Sequence, residues 1–97
     1  MGRYRRVMAN FVHTREYLSS GDEVVVKSSH KCYVRLMDDA NFQKYQNGFK
    51  YDFTGGYYTT SPIRITVPGP GFWNIALDLG GKTAQGIQYA FSFRKKS

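Results

Sequence analysis

Residues 62–79 read PIRITVPGPGFWNIALDL, and this stretch decides the fold. Ile63, Ile65 and Val67 alternate with Arg64 and Thr66. Trp73, Ile75, Leu77 and Leu79 alternate with Phe72, Asn74, Ala76 and Asp78. A period of two sends one set to a buried face and the other towards solvent, the pattern of a half-buried β-strand. Between the runs stands Pro68-Gly69-Pro70-Gly71. Proline cannot donate to a ladder and glycine admits positive φ, so these residues form a turn between two strands.

The same period continues outward. Ile87, Tyr89, Phe91 and Phe93 alternate with Gln88, Ala90, Ser92 and Arg94. Phe49, Tyr51 and Phe53 alternate with Lys50, Asp52 and Thr54, and Val34 and Leu36 alternate with Tyr33 and Arg35. Val24, Val25 and Val26 form a β-branched run after the turn signal Ser20-Gly21-Asp22. Residues 11–18 read as extended, with mixed side chains on both faces. Gly55-Gly56 suits a hairpin turn, and Gly80-Gly81 closes the Trp73 strand. One helix is predicted over residues 39–46, capped by Asp38 or Asp39, with Phe42 and Tyr45 spaced i, i+3 towards the core. The expectation is an all-β domain: a compact β-sandwich or jelly-roll-like fold of about seven or eight short strands and one short helix.

At 97 residues with 41% hydrophobic content, the chain has material for one core and no room for a second domain. Residues 1–97 are read as one domain with basic arms at 1–6 and 94–97. The net charge of +7 lies mostly in those arms: Arg3, Arg5 and Arg6 at one end, Arg94, Lys95 and Lys96 at the other. The body between them holds eight Lys/Arg against seven Asp/Glu. If the terminal strands pair antiparallel, the six cations share one edge, and nucleic acid could be held only there. The single cysteine, Cys32, cannot form an intramolecular disulfide. With no apolar run for a signal peptide or a membrane span, the expectation is a cytoplasmic protein away from membranes.

Catalysis finds little support. Ser28, Ser29, His13, His30 and Cys32 sit in no nucleophile motif. His30 and Cys32 could share a face, but the chain has three Cys and His residues where a structural zinc usually takes four ligands. Asp38, Asp39 and Asn41 could offer oxygens to calcium, although a helix cap explains them. Neither an enzyme nor a bound cofactor is expected.

Two stretches suit binding. Seven of the sixteen aromatic residues fall within residues 42–58, and adjacent Tyr57 and Tyr58 must point to opposite faces, so at least one is exposed. In the run His13-Thr14-Arg15-Glu16-Tyr17, the imidazole, guanidinium and phenol of alternate residues share one face, a plausible anion and ring pocket.

The chain resembles a small bacterial family catalogued as a domain of unknown function, DUF1883. The resemblance is carried by residues 10–18 (NFVHTREYL), 20–26 (SGDEVVV) and 34–42 (VRLMDDANF), then by Gly55-Gly56, 62–68 (PIRITVP) and 71–81 (GFWNIALDLGG). One departure is Tyr57, where the pattern expects His after the double glycine. The resemblance implies a compact β-rich domain, in some relatives joined to a TIR domain, a module linked to anti-phage immunity and NAD cleavage. It implies sensing or holding an ADP-ribose-like signal, or regulating a TIR partner.

These readings combine into an expected non-enzymatic module for a small anionic nucleotide-derived ligand, such as an ADP-ribose-like or cyclic nucleotide signal, acting as sensor or sponge. Arg15, Arg35 or Arg64 would meet phosphate, and Tyr33, Tyr57 or Trp73 would stack on a base. Asn74 or His13 would give directional hydrogen bonds, with Tyr17 beside them. A homo-oligomer with the site at its interface is expected. The alternatives are a carbohydrate- or protein-binding sandwich and a regulatory partner of a TIR-domain protein.

Overall fold

The computed structural model describes residues 11–78 and 88–96. Within them run β1 (Phe11–Leu18), β2 (Glu23–Ser28), β3 (Cys32–Asp38), α1 (Asp39–Gln46), β4 (Thr54–Tyr58), β5 (Ile63–Thr66), β6 (Gly71–Asp78) and β7 (Tyr89–Arg94). Two antiparallel sheets form, one in the order β1-β6-β3-β4 and the other β5-β2-β7. This is the expected all-β architecture, with seven strands among the described residues.

The alternation explains the packing. Leu18, Val24, Val26, Cys32, Val34, Leu36, Ile63, Ile65, Val67, Ile75 and Leu77 form one buried cluster between the sheets. Each strand of the four-stranded sheet therefore shows its alternate residues on the opposite, outer face. Met37 and Ala76 point that way and are still buried, because α1 packs there against β3 and β6.

Four expectations need correction. First, Phe49, Tyr51 and Phe53 form a loop rather than a strand. The loop is tied to the helix: Phe49 N donates to Lys44 O at 2.9 Å, and Asp52 N donates to Asn41 Oδ1 at 2.9 Å. Second, Gly55 and Gly56 lie inside β4, opposite Arg35 and Val34, rather than in a hairpin turn. Third, Phe42 and Tyr45 are half-buried on the outer face of the four-stranded sheet, not in the inter-sheet core. Fourth, β1 and β7 belong to different sheets, so these two strands do not pair. Lys95 instead reaches Asp22 at 3.3 Å. Arg3, Arg5, Arg6, Leu79, Gly80, Gly81 and Ile87 lie outside the described residues.

The helix has the predicted bounds. Asp38 is its cap, accepting from Asn41 N at 2.8 Å. No described helix is long and apolar enough to cross a membrane.

Candidate functional site

The outer face of the four-stranded sheet is built by strand parity. On β1, Phe11, His13, Arg15 and Tyr17 point outward, and the register sets them opposite Asp78, Ala76, Asn74 and Phe72 of β6. On β3, Tyr33 and Arg35 lie across from Tyr57 and Gly55 of β4. Seven of the nine predicted site residues thus reach one face: His13, Arg15, Tyr17, Tyr33, Arg35, Tyr57 and Asn74. Helix α1 crosses that face and divides them into two groups.

The first group is a connected polar chain beside an aromatic pair. Asn74 is buried, and its amide nitrogen donates to Asp39 Oδ1 at 2.8 Å and to Met37 O at 3.3 Å. Asp39 accepts a two-pronged contact from Arg15, Nε at 3.0 Å and Nη2 at 2.7 Å. That fork, followed by the Asn74 bond, holds the Asp39 carboxyl at a pKa of about 2. The Arg15 guanidinium also lies 4.0 Å above the Phe72 ring, and Phe72 meets Tyr17 edge-on at 5.2 Å. His13 stacks on Phe42 at 4.1 Å, and its Nε2 is 2.9 Å from Asn74 Oδ1. Burial is the main cause that lowers the His13 pKa, opposed by the Asn74 bond.

The second group surrounds Arg35. Its guanidinium sits 4.8 Å from the Tyr33 ring, 5.6 Å from Tyr45 and 5.5 Å from Phe53. Arg35 Nη1 bonds Asp78 at 3.2 Å, and Tyr45 donates its hydroxyl to the same carboxylate at 3.4 Å. Burial, and then repulsion from Asp78, push the Tyr45 phenol up to about 12. Tyr57 meets Tyr33 at 4.8 Å and is 53% exposed, while Tyr58 packs towards the core. The expectation that one of these neighbours is exposed therefore holds.

Two predicted residues lie elsewhere. Trp73 is on the core side of β6, packed against the buried cluster, with Nε1 donating to Gly69 O at 2.9 Å. Arg64 is on the three-stranded sheet, paired with Glu23 at 3.1 Å. Sequence reasoning missed Asp39 and Phe72. The doubled acid at 38–39 carried the signal, since one carboxylate caps the helix and the other is left for a different task. Phe72 was signalled by standing on the solvent side of a strand whose alternate residues are core. Among the described residues, no group of three or more His, Cys, Asp and Glu could hold a metal ion.

The fold and face define a two-sheet antiparallel sandwich with a helix laid over one outer face. The chain matches the family described as Domain of unknown function (DUF1883) over residues 9–91, and it belongs to that family. No curated protein and no solved structure matches it.

Proposed function

We propose that the protein is a non-enzymatic binding module for a small anionic, nucleotide-derived ligand, held on the outer face of the four-stranded sheet. The observation that carries this reading is the Arg15–Asp39–Asn74–His13 chain beside the exposed Tyr17–Phe72 pair. The outer edge of the Arg15 guanidinium would meet a phosphate, and the ring pair would take a base. His13 is bonded to an amide, which relays no proton, and this favours binding over proton transfer. In this reading the protein works in the cytoplasm and senses or sequesters an ADP-ribose-like or cyclic nucleotide signal in phage–bacteria conflict, alongside a TIR-domain system.

Thermal shift with ADP-ribose derivatives and cyclic nucleotides tests the proposal. Ligand at ~100 times its dissociation constant adds ~2.7 kcal/mol, and each kcal/mol moves the midpoint of a domain this size by about 4–8 °C. Arg15→Ala should remove the shift. A flat response to millimolar ligand contradicts the proposal.

A second reading has its own support. Both Arg15 and Arg35 lie against carboxylates, Asp39 and Asp78, so much of their charge is already balanced. A neutral carbohydrate stacking on the exposed rings would suit that balance. It would give a shift with uncharged glycans that persists at high salt.

A further inference from the structure

Charge divides the two sheets. Strands β2, β5 and β7, with the flanking Asp22, Lys95 and Lys96, carry five Lys/Arg against two Asp/Glu. The four-stranded sheet, α1 and residues 47–53 carry four against five. The acids of the basic half are also engaged: Asp22 accepts from Lys95 and Lys96, and Glu23 pairs with Arg64 at 3.1 Å. Among the described residues, neither Lys27 nor Arg94 has an acidic partner.

Strand parity gathers these cations on one surface. Val24, Val26, Ile63, Ile65, Phe91 and Phe93 face the core, so Lys27, Arg64 and Arg94 stand on the outer face. The register sets them at three successive levels: Lys27 across from Ala90, Arg64 across from Val25, and Arg94 across from Glu23. Levels two residues apart are separated by about 6.6 Å. The outer-facing side chains between them are short, namely Thr66, Ala90 and Ser92, and Val25 is buried. The face is therefore low and even, with one cation at each level.

At the Lys27 end lies an open cleft of about 310 Å³, whose lining includes Lys27, Ser28, Ser29, Ser61, Gln88 and Tyr89. No carboxylate lines it. Ser61 Oγ accepts from Ser28 N at 3.1 Å, which leaves its hydrogen free to donate. An ammonium, hydroxyls and a side-chain amide supply donors and acceptors for the edge of one unpaired base, and the volume is at the low end for a small-molecule site.

We propose that the outer face of the three-stranded sheet is a binding surface for single-stranded nucleic acid, with Lys27, Arg64 and Arg94 meeting phosphates and the cleft beside Lys27 taking an unpaired base. A phosphate chain complements cations repeated at even levels. A single strand suits the cleft, because a duplex keeps its bases stacked and paired. A membrane surface suits the face poorly, since no exposed large apolar side chain stands on it to enter the acyl boundary. Lys27 and Arg64 belong to the body of the chain, apart from the basic arms.

Fluorescence anisotropy of a labelled single-stranded oligonucleotide with the full chain, between about 50 and 200 mM salt, tests this. Each phosphate contact on a single strand contributes about −0.7 to the slope of log affinity against log salt. Three contacts give a slope of about −2, and a loss of roughly 20-fold in affinity over this range. Lys27→Gln combined with Arg64→Gln should make the slope shallower by about 1.4, with an unchanged circular dichroism spectrum. Lys44→Gln combined with Lys50→Gln, on the helix side, should leave the slope as it is. A blunt duplex of the same sequence should bind more weakly than the single strand. Absence of binding at the lowest salt overturns the proposal, and so does an unchanged slope in the first double variant. An equal change in the second double variant, a duplex that binds as tightly, or capture by phosphatidylserine vesicles in place of the oligonucleotide overturns it as well.

Discussion

The Asn74 amide fixes the tautomer of His13. Its nitrogen is committed to Asp39 Oδ1 and Met37 O, so its oxygen faces His13 Nε2 at 2.9 Å. An amide oxygen can only accept, so Nε2 carries the proton and the neutral ring keeps its lone pair on Nδ1.

This relationship sets a pH dependence. The His13 pKa is below its ordinary 6.5 in the folded state, with burial as the leading cause. The unfolded chain therefore binds the proton more readily. The contribution is complete above pH 6.5 and is lost as pH falls through the lowered folded value. Urea unfolding of the wild type should show stability falling as pH drops from 6.5 towards that lowered value, and His13→Gln should flatten this segment. Asn74→Leu, which removes the amide donor to Asp39 Oδ1 and the Met37 carbonyl and the acceptor of His13 Nε2, should cost about 1–3 kcal/mol.

The Arg15–Asp39 pair titrates lower. With a folded pKa of about 2 against an ordinary 3.8, Asp39 contributes stability that is present above pH 3.8 and lost as pH falls towards 2. Both side chains are about half exposed, so solvent screens the pair and its contribution is small. Asp39→Asn should remove the acid-dependent part of the unfolding curve between these values. In the wild type, added salt should shrink the same part.

Gly55 tolerates no side chain. Its φ of +127° and the Val34 carbonyl beneath it make Gly55→Ala strained and sterically blocked. The expected loss is about 2 kcal/mol or more in chemical denaturation. Gly56→Ala, where a Cβ meets nothing within 4 Å, should cost far less.

Asp22 ties the C-terminal residues to the sandwich. It is buried and accepts from Ser19 N at 2.9 Å, Lys96 N at 2.9 Å and Lys95 Nζ at 3.3 Å. These bonds, led by the Lys96 backbone, lower its pKa. Asp22→Ala should speed amide exchange at Lys96 and lower the melting temperature, while Lys95→Ala should have the smaller effect.

Strand periodicity made most of the architecture legible. Ile63, Ile65 and Val67, and Trp73, Ile75 and Leu77, face the core side as their alternation implies. The helix and its Asp38 cap follow from local chemistry. Residues 49–53 carry a strand pattern, but their bonds go to the helix C-terminal turn and Asn41, so tertiary contacts override the period. The site was legible as far as parity goes, which explains why His13, Arg15 and Tyr17 share a face. Its division by α1 was not, because nothing local in residues 39–46 says which sheet face the helix covers. Trp73 shows the converse: its parity marks it as core, and there it lies.

In the proposed function, a nucleotide-derived anion binds the Arg15 side of the outer face. Amide and side-chain chemical shifts recorded while ADP-ribose, then a cyclic nucleotide, is titrated into the full chain test it most directly. Saturable shifts are expected at His13, Arg15, Tyr17, Phe72 and Asn74, and they should be lost in Arg15→Ala. Shifts confined to the three-stranded sheet, or no saturable shift at millimolar ligand, would contradict it.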